Sequence, residues 1–170
     1  MLRVRGGGSR FADMGILLSW EKLASWRQEQ KKSDRRVVAT NGCFDLLHVG
    51  HVRFLQEAKA MGDVLVVGVN GDASVRELKG EGRPVNGETE RAEVIAALGC
   101  VDAVVIFPEK RAVRFLEGVR PEVYVKGGDY QTGQLDHDEL AAVQAGGGIV
   151  QVLKLTPGRS TTAVLEKIKK

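Results

Sequence analysis

An alternation constrains this chain more than any other feature. Five short runs rich in β-branched residues, Arg35 to Thr40, Val64 to Val69, Ala103 to Phe107, Val123 to Val125 and Ile149 to Leu153, are each separated from the next by a stretch with helical spacing. Apolar runs of this length suit strands covered on both faces, and strands alternating with helices require right-handed crossovers and a parallel sheet. The spacing predicts helices over Val49 to Met61, Glu88 to Leu98, Lys110 to Gly118 and His137 to Ala145, with a last one after Ser160. Ile16, Trp20 and Leu23 also recur at helical intervals and predict an outer helix over about residues 16–31, ahead of a core over about 35–170. Residues 1–12, with three consecutive glycines, read as a flexible leader.

The expected fold class is α/β: a Rossmann-like, doubly wound sandwich in one domain, residues 13–170, with a five-stranded, mainly parallel sheet and helices on both faces. At 170 residues, 43% hydrophobic and 28% charged, the chain can bury a full core. Its apolar runs are too short to span a bilayer and its start lacks a signal peptide's order, so no membrane partner and a cytoplasmic location are expected. A net charge of +3, without basic stripes interleaved with aromatics, argues against nucleic acid and suits a polyanionic small molecule. Cys43 and Cys100 form no CxxC spacing and read as reduced thiols. Cys43 is better taken as a small buried hydrophobe than as a nucleophile.

Where chemistry is concerned, the segment Thr40-Asn41-Gly42-Cys43-Phe44-Asp45-Leu46-Leu47-His48-Val49-Gly50-His51 runs a strand into a helix through a phosphate-sized turn. Unpaired N–H groups and the positive end of the helix dipole attract anions there, and two imidazoles three residues apart add donors on the same side. A zinc reading needs three or four ligands, and only His137 remains as a third histidine. A purely structural reading, in which the histidines cap and pack the helix start, stays open beside the anion reading. Neither G-x-G-x-x-G after the first strand nor a P-loop occurs, so phosphate must be held another way. Lys126-Gly127-Gly128-Asp129-Tyr130 leaves a later strand at the same sheet edge, with glycines that allow a ligand close to the backbone. Arg159-Ser160-Thr161-Thr162 opens the last helix with more hydroxyls than capping needs. The loop Lys79-Gly80-Glu81-Gly82-Arg83-Pro84-Val85, with Arg91 after it, offers cations to a second phosphorylated substrate.

Together these segments resemble the HxGH nucleotidyltransferases of the cytidylyltransferase-like superfamily, over roughly Val37 to Ile168. Lys126-Gly127-Gly128-Asp129-Tyr130 and Arg83-Pro84-Val85-Asn86 narrow the resemblance to the adenylyltransferases of D-glycero-D-manno-heptose 1-phosphate. The resemblance implies transfer of AMP from ATP to the sugar phosphate, giving ADP-heptose and pyrophosphate for the lipopolysaccharide core. It implies that His48, His51 and Lys126 stabilise charge at the reacting phosphorus, with Ser160 and Thr161 sharing the triphosphate. Asn41, Gly42, Cys43, Phe44, Asp45, Gly127, Gly128, Asp129 and Arg159 would line the nucleotide, while Asn70, Lys79, Arg83 and Arg91 would hold the acceptor. Mg2+ accompanies the triphosphate in such enzymes, with no metal ligand in the chain itself. Further implications are a homo-oligomer, dimer or larger, and a separate heptose kinase upstream, since many relatives carry a fused sugar kinase that this chain lacks. Related glycerol-phosphate enzymes place an arginine where Leu155 stands here, whereas in this chain Arg159 stands directly before Ser160. Alternatives are transfer from ATP or CTP to another acceptor, such as glycerol 3-phosphate or flavin mononucleotide, and a non-catalytic nucleotide-binding regulator.

Overall fold

Every residue of Val64–Asn70 is buried, even and odd positions alike, which places this strand in the middle of a sheet covered on both faces. A computed structural model describes residues 14–128 and 135–154 of the chain. Its elements run β1 (Ile16–Leu17), α1 (Trp20–Lys32), β2 (Val37–Gly42), α2 (Val49–Lys59), β3 (Val64–Asn70), α3 (Asp72–Lys79), α4 (Glu88–Ala96), β4 (Ala103–Phe107), α5 (Val113–Val119), β5 (Val123–Gly127), α6 (His137–Ala145) and β6 (Ile149–Leu153). The six strands form one sheet in the order β1-β4-β3-β2-β5-β6, with all neighbours parallel.

Strand alternation divides the core in two. Val64, Val66, Ala103 and Val105 meet Leu23 and Trp26 of α1, Phe115 and Leu116 of α5, and Val143 of α6. Leu65, Val67, Val69 and Val104 meet Phe54, Leu55 and Ala58 of α2 and Ala92 and Ile95 of α4 on the opposite face. The chain builds β2, β3 and β4 outward in one direction, then returns to place β5 and β6 on the other side of β2. The strand order therefore reverses between β2 and β5.

The α/β class and helices on both faces agree with the sequence, but the sheet has six strands, not five. Ile16 does not begin a helix. Its N–H donates to Asp102 O at 3.0 Å and the N–H of Leu18 donates to Val104 O at 2.8 Å, so β1 extends the sheet along the edge of β4. Ser19, extended at φ −76° and ψ 160°, then starts α1 at Trp20. A further helix, α3, occupies what reads in sequence as a long connection, and Lys79 ends that helix rather than riding the loop. α5 begins at Val113, which leaves residues 110–112 as a loop. Among the described residues no helix is long and apolar enough to cross a membrane. The leader over 1–12 and the helix after Ser160 lie outside the described residues.

Candidate active site

β2 and β5 pair only as Val38 with Val123 and Ala39 with Tyr124, although the two strands continue to Gly42 and Gly127. Beyond Ala39 side chains replace the ladder. Thr40 Oγ1 donates to Val125 O at 2.8 Å, and the Tyr124 hydroxyl reaches Asn41 Oδ1 at 2.6 Å. The strands open at the reversal of order, where open α/β sheets bind ligands. The cleft above the opening has a volume of about 430 Å³, within the range of small-molecule sites.

The turn after β2 is built around Phe44. Its φ of 46° lies in the left-handed region, which a bulky residue adopts only where surrounding contacts hold it. Gly42 accommodates the ring, since a Cβ there would approach the Phe44 ring to 3.0 Å. The Phe44 ring in turn meets His51 edge-on, with centroids 5.5 Å apart. His48, extended at φ −141°, is the N-cap of α2, and its backbone N–H donates to His51 Nδ1 at 3.4 Å. With Nδ1 accepting, the His51 proton resides on Nε2. The two imidazoles stack with centroids 3.9 Å apart and planes at 25°. Burial, and secondarily the charge of His48, lowers the His51 pKa to about 4, so His51 is a neutral imidazole at pH 7.

Charged side chains around the turn fall into two groups. Buried Asp45 accepts from Arg83 Nε and, at 2.7 Å, from the N–H of Val85, while Asn86 Nδ2 donates to Asp45 O at 3.2 Å. Asp45 thus ties the loop before α4 to the turn after β2. Arg91 is only 2% exposed; its guanidinium donates to the carbonyls of Cys43, Asn70 and Asn86 and, at 2.7 Å, to Asp72 Oδ1. Those bonds commit Arg91 to holding backbone. Lys79 and Lys110 are exposed and border the cleft. Lys126 Nζ donates to Glu139 Oε2 at 2.8 Å and to the Tyr124 hydroxyl at 3.0 Å.

The cleft collects Asn41, Gly42, Cys43, Phe44, Asp45, His51, Asn70, Lys79, Arg83, Lys126 and Gly127, all singled out in sequence. His48, stacked on His51, and the buried Arg91 are not among the residues that line the cleft. Asn70 is buried, and its Nδ2 donates to Glu109 O at 3.2 Å. Gly128 follows the end of β5 and donates its N–H to Leu153 O at 3.0 Å. Asp129, Arg159, Ser160 and Thr161 lie outside the described residues. Cys43 is half-buried, and this burial raises its thiol pKa, which agrees with an unreactive thiol. The sequence reading passed over Phe54, Leu78, Lys110 and Glu139, which also line the cleft. Lys110 follows a strand and was open to the argument applied to Lys126. Glu139 carried no signal, because an acidic residue near a helix start reads as a solvated position.

Residues 39–167 match the cytidylyltransferase-like family model. The chain is 51% identical over 149 residues to the bifunctional protein HldE of Geotalea uraniireducens, covering 88% of this chain and 30% of that protein. It is 47% identical over 163 residues to bifunctional HldE of Citrifermentans bemidjiense, covering 96% of this chain and 33% of that one. The chain thus spans about a third of the length of these curated relatives. The crystal structure of the lipopolysaccharide core biosynthesis protein from Thermoplasma volcanium superposes with a TM-score of 0.59 at 28% identity, covering 72% of this chain and 97% of that one. A sheet that splits between β2 and β5 over a histidine turn, and a family match spanning both, have one reading: the chain belongs to the cytidylyltransferase-like family.

Proposed function

We propose that this chain is a nucleotidyltransferase that joins AMP from ATP to D-glycero-D-manno-heptose 1-phosphate, releasing pyrophosphate and forming ADP-heptose for lipopolysaccharide core synthesis. One observation carries the reading: His51, stacked on His48 at the start of α2, meets in one cleft cations contributed after β3 and by β5. The identity to bifunctional HldE proteins and the fold shared with a lipopolysaccharide core biosynthesis protein favour the sugar phosphate as acceptor.

The reaction asks for position and charge more than for a protein nucleophile. An oxygen of the acceptor phosphate attacks the α-phosphorus in line; the new P–O bond forms as the bond to the bridging oxygen breaks, and pyrophosphate departs with that electron pair. A phosphate monoester is already ionised, so no general base is needed. His51 donates from Nε2, Lys126 from Nζ, and the start of α2 adds its dipole to the oxygens on which charge develops. His48 fixes the tautomer and orientation of His51. Lys79 and Arg83 grip the acceptor phosphate, and Asp129, Arg159, Ser160 and Thr161 complete the nucleotide site in this reading. In this reading Mg2+ enters with its substrate as MgATP. The enzyme works in the cytoplasm as a homo-oligomer, and a heptose kinase activity supplies the sugar 1-phosphate.

The test is a pyrophosphate-release screen of ATP, CTP and GTP against heptose 1-phosphates, glycerol 3-phosphate and flavin mononucleotide. Turnover is expected with ATP and a heptose 1-phosphate. Turnover confined to another acceptor would replace the sugar, and none with any pair would leave a nucleotide-binding regulator.

A further inference from the structure

A carboxylate that contributes nothing to charge neutralisation of phosphates lines the cleft. Glu139, in the first turn of α6, is 6% exposed. Acidic side chains are almost never this buried unless their oxygens are satisfied. Glu139 Oε1 accepts the N–H of Ala112 at 2.9 Å, at the end of the loop that carries Lys110. Oε2 accepts from Lys126 Nζ at 2.8 Å and lies 3.0 Å from the Tyr124 hydroxyl, which also reaches Asn41 on β2. One carboxylate from α6 therefore joins the β4–α5 loop, β5 and, through Tyr124, the strand that leads into the histidine turn.

We propose that Glu139 is a positioning residue for nucleotidyl transfer, acting through Lys126. The proposal rests on the nucleotidyltransferase reading given above. A lysine ammonium is a point charge on a flexible four-carbon stem, and by itself it would sample many positions over an open cleft. Glu139 and Tyr124 engage two of its three N–H donors, which holds the ammonium at the cleft wall and leaves one donor for a ligand oxygen. A donor fixed in advance needs no reorganisation when charge develops. The same carboxylate opposes a triphosphate in the ground state, because like charges repel through the partly desolvated cleft. Its removal should therefore lower kcat without raising the KM for ATP. A group that only held α6 in place would raise KM and lower thermal stability together.

The experiment measures pyrophosphate release under steady-state and single-turnover conditions for Glu139→Gln and Tyr124→Phe, each in the native and the Lys126→Met background, with thermal melting of each. In the native background Glu139→Gln is expected to lower kcat by about tenfold or more, with the KM for ATP unchanged or lower. In the Lys126→Met background it should cause no further loss, because residues acting as a unit are not additive. Equal losses in both backgrounds, or an unchanged kcat, would overturn the proposal. Should Glu139→Gln fail to fold, Tyr124→Phe makes the same comparison, with a loss of about threefold expected only where Lys126 is present. A native enzyme that releases no pyrophosphate with any acceptor refutes the nucleotidyltransferase reading itself. A native enzyme that turns over while Glu139→Gln equals it refutes only the role of Glu139.

Discussion

His51 combines three constraints in one ring: an edge contact with Phe44, a stack on His48, and an Nδ1 that accepts from the backbone. Removing a donor aimed at developing charge typically costs about 10²- to 10³-fold in rate, so His51→Ala should lose that much kcat while ATP binds nearly as well. Full turnover in steady-state assays would remove His51 from the mechanism. Its pKa of about 4, against an ordinary 6.5, has two further consequences. The unfolded chain takes up a proton at His51 before the folded one does, so this contribution to stability is complete above about pH 6.5 and is lost as the pH falls toward 4. Melting temperatures should decline over that window, and less steeply in His51→Asn. A bound triphosphate favours the imidazolium and raises this pKa, so ATP binding should take up protons and tighten as the pH drops below neutrality. Calorimetry in buffers of different ionisation enthalpy would detect the uptake, and its absence would place the triphosphate away from His51. That the two histidines stand where a strand turns into a helix was legible in the sequence. Their stack and tautomer were not, because both depend on the left-handed turn at Phe44.

The elements around the cleft are joined by polar struts as well as by packing. Arg91 on α4 connects the turn after β2, the end of β3, the start of α3 and the loop before α4. Arg91→Lys cannot reproduce that fork and should destabilise the fold by about 3 kcal/mol in urea unfolding, the cost of breaking a buried charge network. Lys79→Ala, at the exposed end of α3, should behave in the opposite way. It is expected to leave stability within about 0.5 kcal/mol and to raise the acceptor KM by about tenfold, with the KM for ATP unchanged. An unchanged acceptor KM would exclude Lys79 from the acceptor site. The sequence distinguished these two residues poorly, since Lys79 on a loop and Arg91 at the next helix start both read as cations for an acceptor phosphate. It missed α3 because that helix buries only Ser74 and Val75, too little for an apolar period. It missed β1 because a two-residue strand is specified by the open edge of β4 and not by its own residues.

At the scale of the whole molecule, the parallel sheet and its two layers follow from the alternation of β-branched and helical stretches. The location of the cleft also follows, given where such sheets reverse. Which strands separate could not be read, since Val37 to Thr40 and Val123 to Val125 look as ready to pair along their length as any others. The separation depends on Thr40, Asn41 and Tyr124 taking over with side chains where the ladder stops. That split also bears on solvent access to the backbone. Peptide hydrogens of Asn41, Gly42, Lys126 and Gly127 that face the opening have no partner strand to shield them, whereas those of β3, flanked on both sides, do. In deuterium exchange followed by mass spectrometry, the sheet's own centre should therefore label early in the ligand-free enzyme and slow sharply once nucleotide is bound.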